Sequence, residues 1–403
     1  MRKLKTMVLN SLLCSSFLLS SLPLHAASDY GISEGNEELL LKGLESLASQ
    51  QFDTALSQFK ELTVKRPDFR LAQLVYADLM ASQANPLGQI GSERLQQKKE
   101  INGLIDEARA RLLINKDKPR AGLIPSSLIK MSDDQKYLLG IDTKFSRLFV
   151  FENRRGVPTL IKDYYASYGR GGTEKTKRGD LKTPLGVYFV TDRFFDSRLP
   201  ERYGSGALPI NYPNVWDSRK GRTGSGIWVH GSPVDTYSRP PKASEGCISL
   251  TNPDFIDLDK RIDIKNTPVL IGSDFKWIDQ KNWIAQQNEI QQYIEQWRVD
   301  WESQEHSRYI THYSKKYSDG VRNYQAYSDY KKRINASKEF IKVGLKDVSL
   351  FRYPNDPNLM VVTFNQNYES NNYAGESVKR QYWVKEEGQW KIAYEGKPSK
   401  GKP

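Results

Sequence analysis

The chain has 403 residues, 60 Lys and Arg against 48 Asp and Glu, a formal net charge of +12 and only two cysteines. That length exceeds what one hydrophobic core organises, so two or three domains are expected. Two thiols, Cys14 and Cys247, exclude a disulfide-stapled scaffold.

Residues 1–27 begin with Arg2, Lys3 and Lys5, continue through the apolar stretch Met7 to Leu24 and end in His25-Ala26-Ala27. This order of charge, apolar run and small-residue site predicts a secretory signal peptide. Ser and Asn interrupt the run and it falls short of the ~20 residues of a membrane span. Leu13 before Cys14 argues against lipid attachment there. The mature chain is then expected in the periplasm with a charge of +9 and Cys247 as its only cysteine, so it can form no internal disulfide. An anionic partner of an exported protein is wall or surface polymer, not nucleic acid.

The fold expected is multi-domain. Residues 28–125 read as a helical segment, with apolar spacing in Glu38 to Ala48, Phe52 to Val64 and Leu71 to Ala81. Gly43, Ala55, Phe59 and Pro67 fall where a tetratricopeptide repeat places its small, small, aromatic and proline residues. One repeat plus one helix cannot bury both faces, so the segment is expected to pack on the next domain. A wall-linked lipoprotein or another wall protein is the partner it would offer. From residue 135 to 272 short runs of β-branched and aromatic residues, divided by Gly, Pro and Asp, predict a mainly β domain. Asp192 to Ser225 lacks periodicity and reads as a long loop, a candidate lid, running into the strand that holds His230. Asn252-Pro253 predicts a helix N-terminus with Asn252 as the cap. Residues 273–296 read as a helical linker, 297–395 as an α+β domain, and 396–403 as a disordered tail.

Cys247 lies in the run Ser244-Glu-Gly-Cys-Ile-Ser-Leu250, seventeen positions after His230. A thiol of ordinary pKa near ~8.5 is only a few per cent thiolate at neutral pH and needs a base or a cation. His306 and His312 lie in the C-terminal helical stretch, which leaves His230, at the end of the strand Gly226 to Val229, as the base. The Gly231 carbonyl is the expected acceptor for its second ring nitrogen. Gly246 allows close backbone approach, and the amides of Gly246 and Cys247 are the expected oxyanion donors. One cysteine and one histidine cannot complete a tetrahedral zinc site, so neither a metal nor another cofactor is expected.

Three spaced motifs carry a resemblance: Gly179-Asp-Leu-Lys-Thr-Pro-Leu-Gly-Val-Tyr188, then Gly226-Ile-Trp-Val-His-Gly231, then Ser244 to Leu250. Together they resemble the L,D-transpeptidase (YkuD-type) catalytic domain of bacterial cell-wall enzymes. The resemblance implies that Cys247 attacks the L-centre carbonyl of diaminopimelate in a peptidoglycan stem tetrapeptide and releases the terminal D-alanine. The resulting thioester then passes to an amine or to water. Two positions depart from the family pattern: Glu245 stands where a second histidine is usual, and Ser249 where an arginine is usual. Ser244, Glu245, Ser249, Arg170 and Lys182 are the expected substrate contacts, with Lys175, Lys177 and Arg178 adding positive charge. Residues from about Trp297 to Glu395 resemble the cone-shaped domain similar to nuclear transport factor 2. In relatives with that combination the implied activity is L,D-carboxypeptidase trimming, linked to cell shape. Three readings compete: a transpeptidase, a hydrolase using the same thioester to trim stems or free wall-linked protein, and an inactive wall-binding scaffold.

Overall fold

In the computed structural model the described residues are 31–32, 35–84, 95–116, 119, 121–195 and 199–398. The expected signal peptide and tail residues 399–403 lie outside them, while Gly396 closes the last strand. After a two-residue strand, β1 (Gly31–Ile32), come four helices: α1 (Asn36–Ala48), α2 (Phe52–Lys65), α3 (Arg70–Ala84) and α4 (Leu95–Lys116). A Cβ on Gly43 would lie 2.8 Å from the Phe59 ring, so only glycine lets α1 and α2 approach this closely. Leu40, Leu44, Phe59, Leu62, Phe69 and Val75 fill the core between them.

This helical unit rests on the β domain through buried charge. Arg111 pairs with Glu37 and, at 2.8 Å, with Glu107. Arg147 pairs with Glu37 at 3.1 Å and with Asp163 at 2.9 Å. The Arg111 guanidinium also lies 3.8 Å from the Tyr165 ring centroid. Buried charges are tolerated when paired and hydrogen-bonded, as here.

Two short strands, β2 (Ile124–Pro125) and β3 (Leu128–Lys130), precede the β domain proper. They belong elsewhere in space: β3 is the edge strand of the C-terminal sheet, with Leu128 opposite Phe351. The main sheet then forms from β4 (Tyr137–Asp142), β5 (Arg147–Arg154) and β6 (Val157–Tyr165), followed by the short β7 (Tyr168–Gly169) and by β8 (Gly186–Phe189). The expected loop 192–225 is not featureless. It contains a 3-10 turn at Glu201–Tyr203, strand β9 (Ala207–Pro209) and helix α5 (Val215–Arg219), whose Asn214 and Asp217 form a capping box. Local hydrogen bonds supply the structure that periodicity does not reveal.

Strands β10 (Trp228–His230), β11 (Lys242–Ser244) and β12 (Ile248–Ser249) carry the candidate site. Helix α6 (Asn252–Asp259) follows. Its cap is Thr251, whose hydroxyl accepts from the Asp254 amide, one residue before the expected Asn252. Strand β13 (Pro268–Gly272) enters the six-stranded sheet β1-β6-β5-β4-β13-β8, and β14 (Trp277–Ile278) pairs with β2.

Helix α7 (Gln280–Glu302) runs unbroken through the boundary expected at 296/297, because Ile290, Ile294, Trp297 and Trp301 all bury on one core. After α8 (His306–Tyr309) and α9 (Tyr324–Ala336) come four long strands, β15 (Ile341–Tyr353), β16 (Asp356–Ser370), β17 (Tyr373–Glu386) and β18 (Gln389–Gly396). With β3 they make the sheet β18-β17-β16-β15-β3. The C-terminal and β domains share a core in which Trp216 stacks on Tyr382 with centroids 5.3 Å apart. Helical segment, mainly β domain and α+β domain thus follow in the expected order. Among the described residues no helix is long and apolar enough to cross a membrane.

Candidate active site

Strand pairing brings the candidate base and nucleophile together. β10 and β12 run parallel with His230 opposite Ser249, and the Leu250 amide donates to the His230 carbonyl at 2.8 Å. Cys247 is the residue that enters β12, which by this register sets it level with Trp228 at the start of β10, one strand over and two positions back from His230. Gly246 before it has φ +123°, and a Cβ there would stand 2.7 Å from the Lys182 carbonyl oxygen, so glycine is required at this approach.

The Cys247 thiol is buried and donates to the Gly226 carbonyl at 3.4 Å. Burial pushes its pKa up to about 11, opposed by a backbone hydrogen bond from Trp228 and by the charges of Arg202 and Arg239. Burial likewise pushes His230 down to about 4, with its hydrogen bond to Gly231 acting the other way. Burial thus acts against both a thiolate at Cys247 and an imidazolium at His230. His230 Nδ1 lies 2.6 Å from the Gly231 carbonyl, which makes Nδ1 the protonated nitrogen and leaves Nε2 as the free lone pair. The Tyr203 ring meets the imidazole edge-on at 5.0 Å and the Trp228 ring at 4.6 Å, closing this side with the 3-10 turn of the 192–225 segment.

The residues around the pair are mostly committed to one another. Ser244 is buried; its hydroxyl donates to the Cys247 carbonyl at 2.6 Å and accepts from the Gly246 amide at 3.1 Å. The Gly246 amide is thus spent within the loop, unlike the expectation that it is free for an oxyanion. Ser249 is buried too and donates to the Gly231 carbonyl at 3.2 Å, the same oxygen that holds the imidazole. Both hydroxyls are bonded to carbonyls of the turn, which a two-residue strand alone would not hold. Glu245 is exposed and lies 3.3 Å from Arg170 and 4.0 Å from Arg202, so its charge is largely compensated. Lys175 is buried against Asp180 at 2.6 Å, and the Lys182 amide donates to that carboxylate. The basic stretch 170–182 is in part a self-neutralised turn. Thr183 ties it to the site by donating to the Gly246 carbonyl at 2.9 Å.

Arg202, Tyr203 and Arg239 were not singled out in the sequence, yet they flank both reacting groups. The signal for Arg239 was its place in the interval between His230 and Cys247, next to Pro240-Pro241. For Arg202 and Tyr203 no sequence signal existed, because the turn that brings them to His230 is set by tertiary packing.

The buried thiol predicts a measurable reactivity. In protein beginning at residue 28, alkylation of Cys247 by iodoacetamide is expected to rise through alkaline pH with a midpoint near about 11. A free thiol titrates near ~8.5. A midpoint at or below neutrality would show that the unliganded site stabilises the thiolate.

Residues 136–271 match the family model of the L,D-transpeptidase catalytic domain, and residues 289–396 match the Cds6 C-terminal NTF2-like domain. The chain thus carries an L,D-transpeptidase catalytic domain over the first stretch and an NTF2-like domain over the second. It is similar to Bd1075 of Bdellovibrio bacteriovorus at 28% identity and TM-score 0.61, covering 69% of this chain and 99% of that one. It is also similar to Pgp2 of Campylobacter jejuni, a helical cell shape determining protein, at 25% identity and TM-score 0.57, covering 68% of this chain and 95% of that one. No curated protein sequence matches the chain.

Proposed function

We propose that the protein is a periplasmic L,D-transpeptidase acting on peptidoglycan stem peptides through a thioester at Cys247. The observation that supports this reading is the parallel β10 and β12 pair, which carries His230 and, at the entry to β12, Cys247 on neighbouring strands with both side chains buried. His230 Nε2 takes the thiol proton as sulfur attacks the L-centre carbonyl of diaminopimelate. Charge moves onto the carbonyl oxygen, for which the Cys247 amide is the remaining donor of this turn. Collapse breaks the bond to the terminal D-alanine, whose amine leaves with the proton from the imidazolium. In the second half the same nitrogen takes a proton from the acceptor amine of another stem, the thioester breaks, and the thiol is restored.

Burial keeps the imidazole unprotonated at neutral pH, so its Nε2 lone pair is available to accept a proton. Periplasmic placement rests on residues 1–27 and helical-segment partners on residues 28–125. A second reading, hydrolysis of the thioester to trim tetrapeptide to tripeptide, is favoured by the union of this catalytic domain with the NTF2-like domain.

Incubation with defined tetrapeptide muropeptides, wild type beside Cys247→Ala, tests both by mass analysis. Crosslinked dimers or D-amino-acid exchange products are expected; tripeptide without them moves the assignment to the hydrolase. No Cys247-dependent product from stems or wall-linked protein would overturn the enzyme assignment in favour of a binding scaffold.

A further inference from the structure

The segment Ser232–Pro241, which joins base to nucleophile, is held along its length. Tyr237 inserts into the core of the helical unit: its ring lies 4.7 Å from that of Phe69, the Arg66 guanidinium sits 4.4 Å from its centroid, and its amide donates to the Asp68 carbonyl at 3.0 Å. Ser238 donates to Glu107 at 2.6 Å, which ties the segment to the buried Glu107 and Arg111 pair. The next three carbonyls are each capped. The Tyr165 hydroxyl donates to that of Arg239 at 2.9 Å, Ser167 Oγ to that of Pro240 at 2.6 Å, and the Tyr168 amide to that of Pro241 at 2.7 Å. Two consecutive prolines further restrict the backbone.

Arg239 is thus mounted on one of the most firmly fixed stretches near the thiol. Its guanidinium donates to the Ala243 carbonyl, four residues before Cys247. Among the described residues it makes no ion pair, whereas Arg170 and Arg202 share Glu245 and Lys175 holds Asp180. It is close enough to act electrostatically on both Cys247 and His230. A guanidinium carries five donors in a planar fork suited to a carboxylate. One carbonyl leaves most of that fork unspent, in a half-buried place where a charge without a counter-ion is costly.

We propose that Arg239 binds the terminal carboxylate of the acyl donor, the carboxylate of the D-amino acid that leaves. This rests on the function proposed above and names the group of that substrate which the site recognises. In a stem tetrapeptide the terminal carboxylate is one residue from the attacked carbonyl, within reach of a cation flanking the thiol; of the two that flank it, Arg202 lies 4.0 Å from Glu245 while Arg239 has no ion-pair partner among the described residues. Binding there also supplies the positive charge that Ser249 does not. The helical unit acts on substrate through this residue, because Tyr237 and Ser238 set the backbone from which it projects.

The test is calorimetric binding to Cys247→Ala protein, with and without Arg239→Ala and Arg239→Lys, using a tetrapeptide stem and the same stem with a terminal carboxamide. Cys247→Ala protein with Arg239 intact is expected to prefer the free acid ~10–100-fold, the range of a charge-assisted hydrogen bond. Arg239→Ala is expected to remove the preference, and Arg239→Lys to restore part of it. Unchanged thermal midpoints and near-ultraviolet circular dichroism show that the fold is kept; if Arg239→Ala unfolds the protein, the Arg239→Lys comparison decides. A free-acid preference that survives the loss of Arg239 overturns this inference and leaves the proposed function standing. Failure of both stems to bind overturns both.

Discussion

Replacing His230 by alanine is expected to lower kcat/KM on tetrapeptide stems by ~10²–10⁴-fold, the usual contribution of a positioned general base. The thiol makes this loss severe. With burial pushing Cys247 up to about 11, almost none of it is thiolate at neutral pH without a group to take the proton as it attacks. His306 and His312, the other histidines of the mature chain, cannot substitute: His306 bonds to Ser328 and His312 to Asp300 in the C-terminal domain. His230→Gln fills the site without a base of comparable strength, so it separates loss of proton transfer from loss of packing against Tyr203. Residual activity within tenfold of wild type in both variants would remove His230 from the role of base.

The second large effect is on stability. Arg111→Ala is expected to cost ~3–5 kcal/mol in urea unfolding, the penalty for leaving a buried charge unpaired. Arg111 is fully buried between Glu37 and Glu107; its truncation strands Glu107, left with the Ser238 hydroxyl, and reduces Glu37 to its pair with Arg147 at the seam between helical unit and main sheet. Arg111→Met together with Glu37→Gln and Glu107→Gln removes the charges as a set and is expected to recover much of the loss. A single-variant cost below ~1 kcal/mol would mean that water reaches this seam.

Much of the architecture was legible because its signals are local. Apolar spacing marked the first helices, with Gly43 and Phe59 in contact, and short β-branched runs marked the strands of the main sheet. Cys247 and His230 were singled out by residue type and spacing, and the structure buries both on neighbouring strands. What was not legible is where parts of the chain go after they form. Leu128-Ile-Lys130 reads as a short apolar run before the β domain, but its hydrogen-bond partner is the strand at Phe351. The 296/297 boundary dissolved because Ile290 and Trp301 serve one core. At the site, sequence gave Ser244 and Ser249 as substrate contacts on proximity alone. Their hydroxyls are taken by carbonyls of the turn, an assignment that only three-dimensional hydrogen-bond geometry makes. Arg239 stayed hidden because its worth depends on what it is not paired with.

The edge strand β3 has a consequence for how the chain is made. Leu128 and Lys130 find their partners at Phe351 and Leu350, more than two hundred residues later, and Trp283 caps the Leu128 carbonyl. Loop-closure entropy must be met before such distant pairs reward it. The stretch that ties the helical unit to the catalytic sheet is therefore the last to find its place, and it does so only when the C-terminal strands have been synthesised. A ribosome-released fragment ending before residue 341 lacks that partner strand and exposes β3 as a free edge, a target for proteolysis. Truncated chains carrying Cys247 and His230 therefore lack the partner strand of β3.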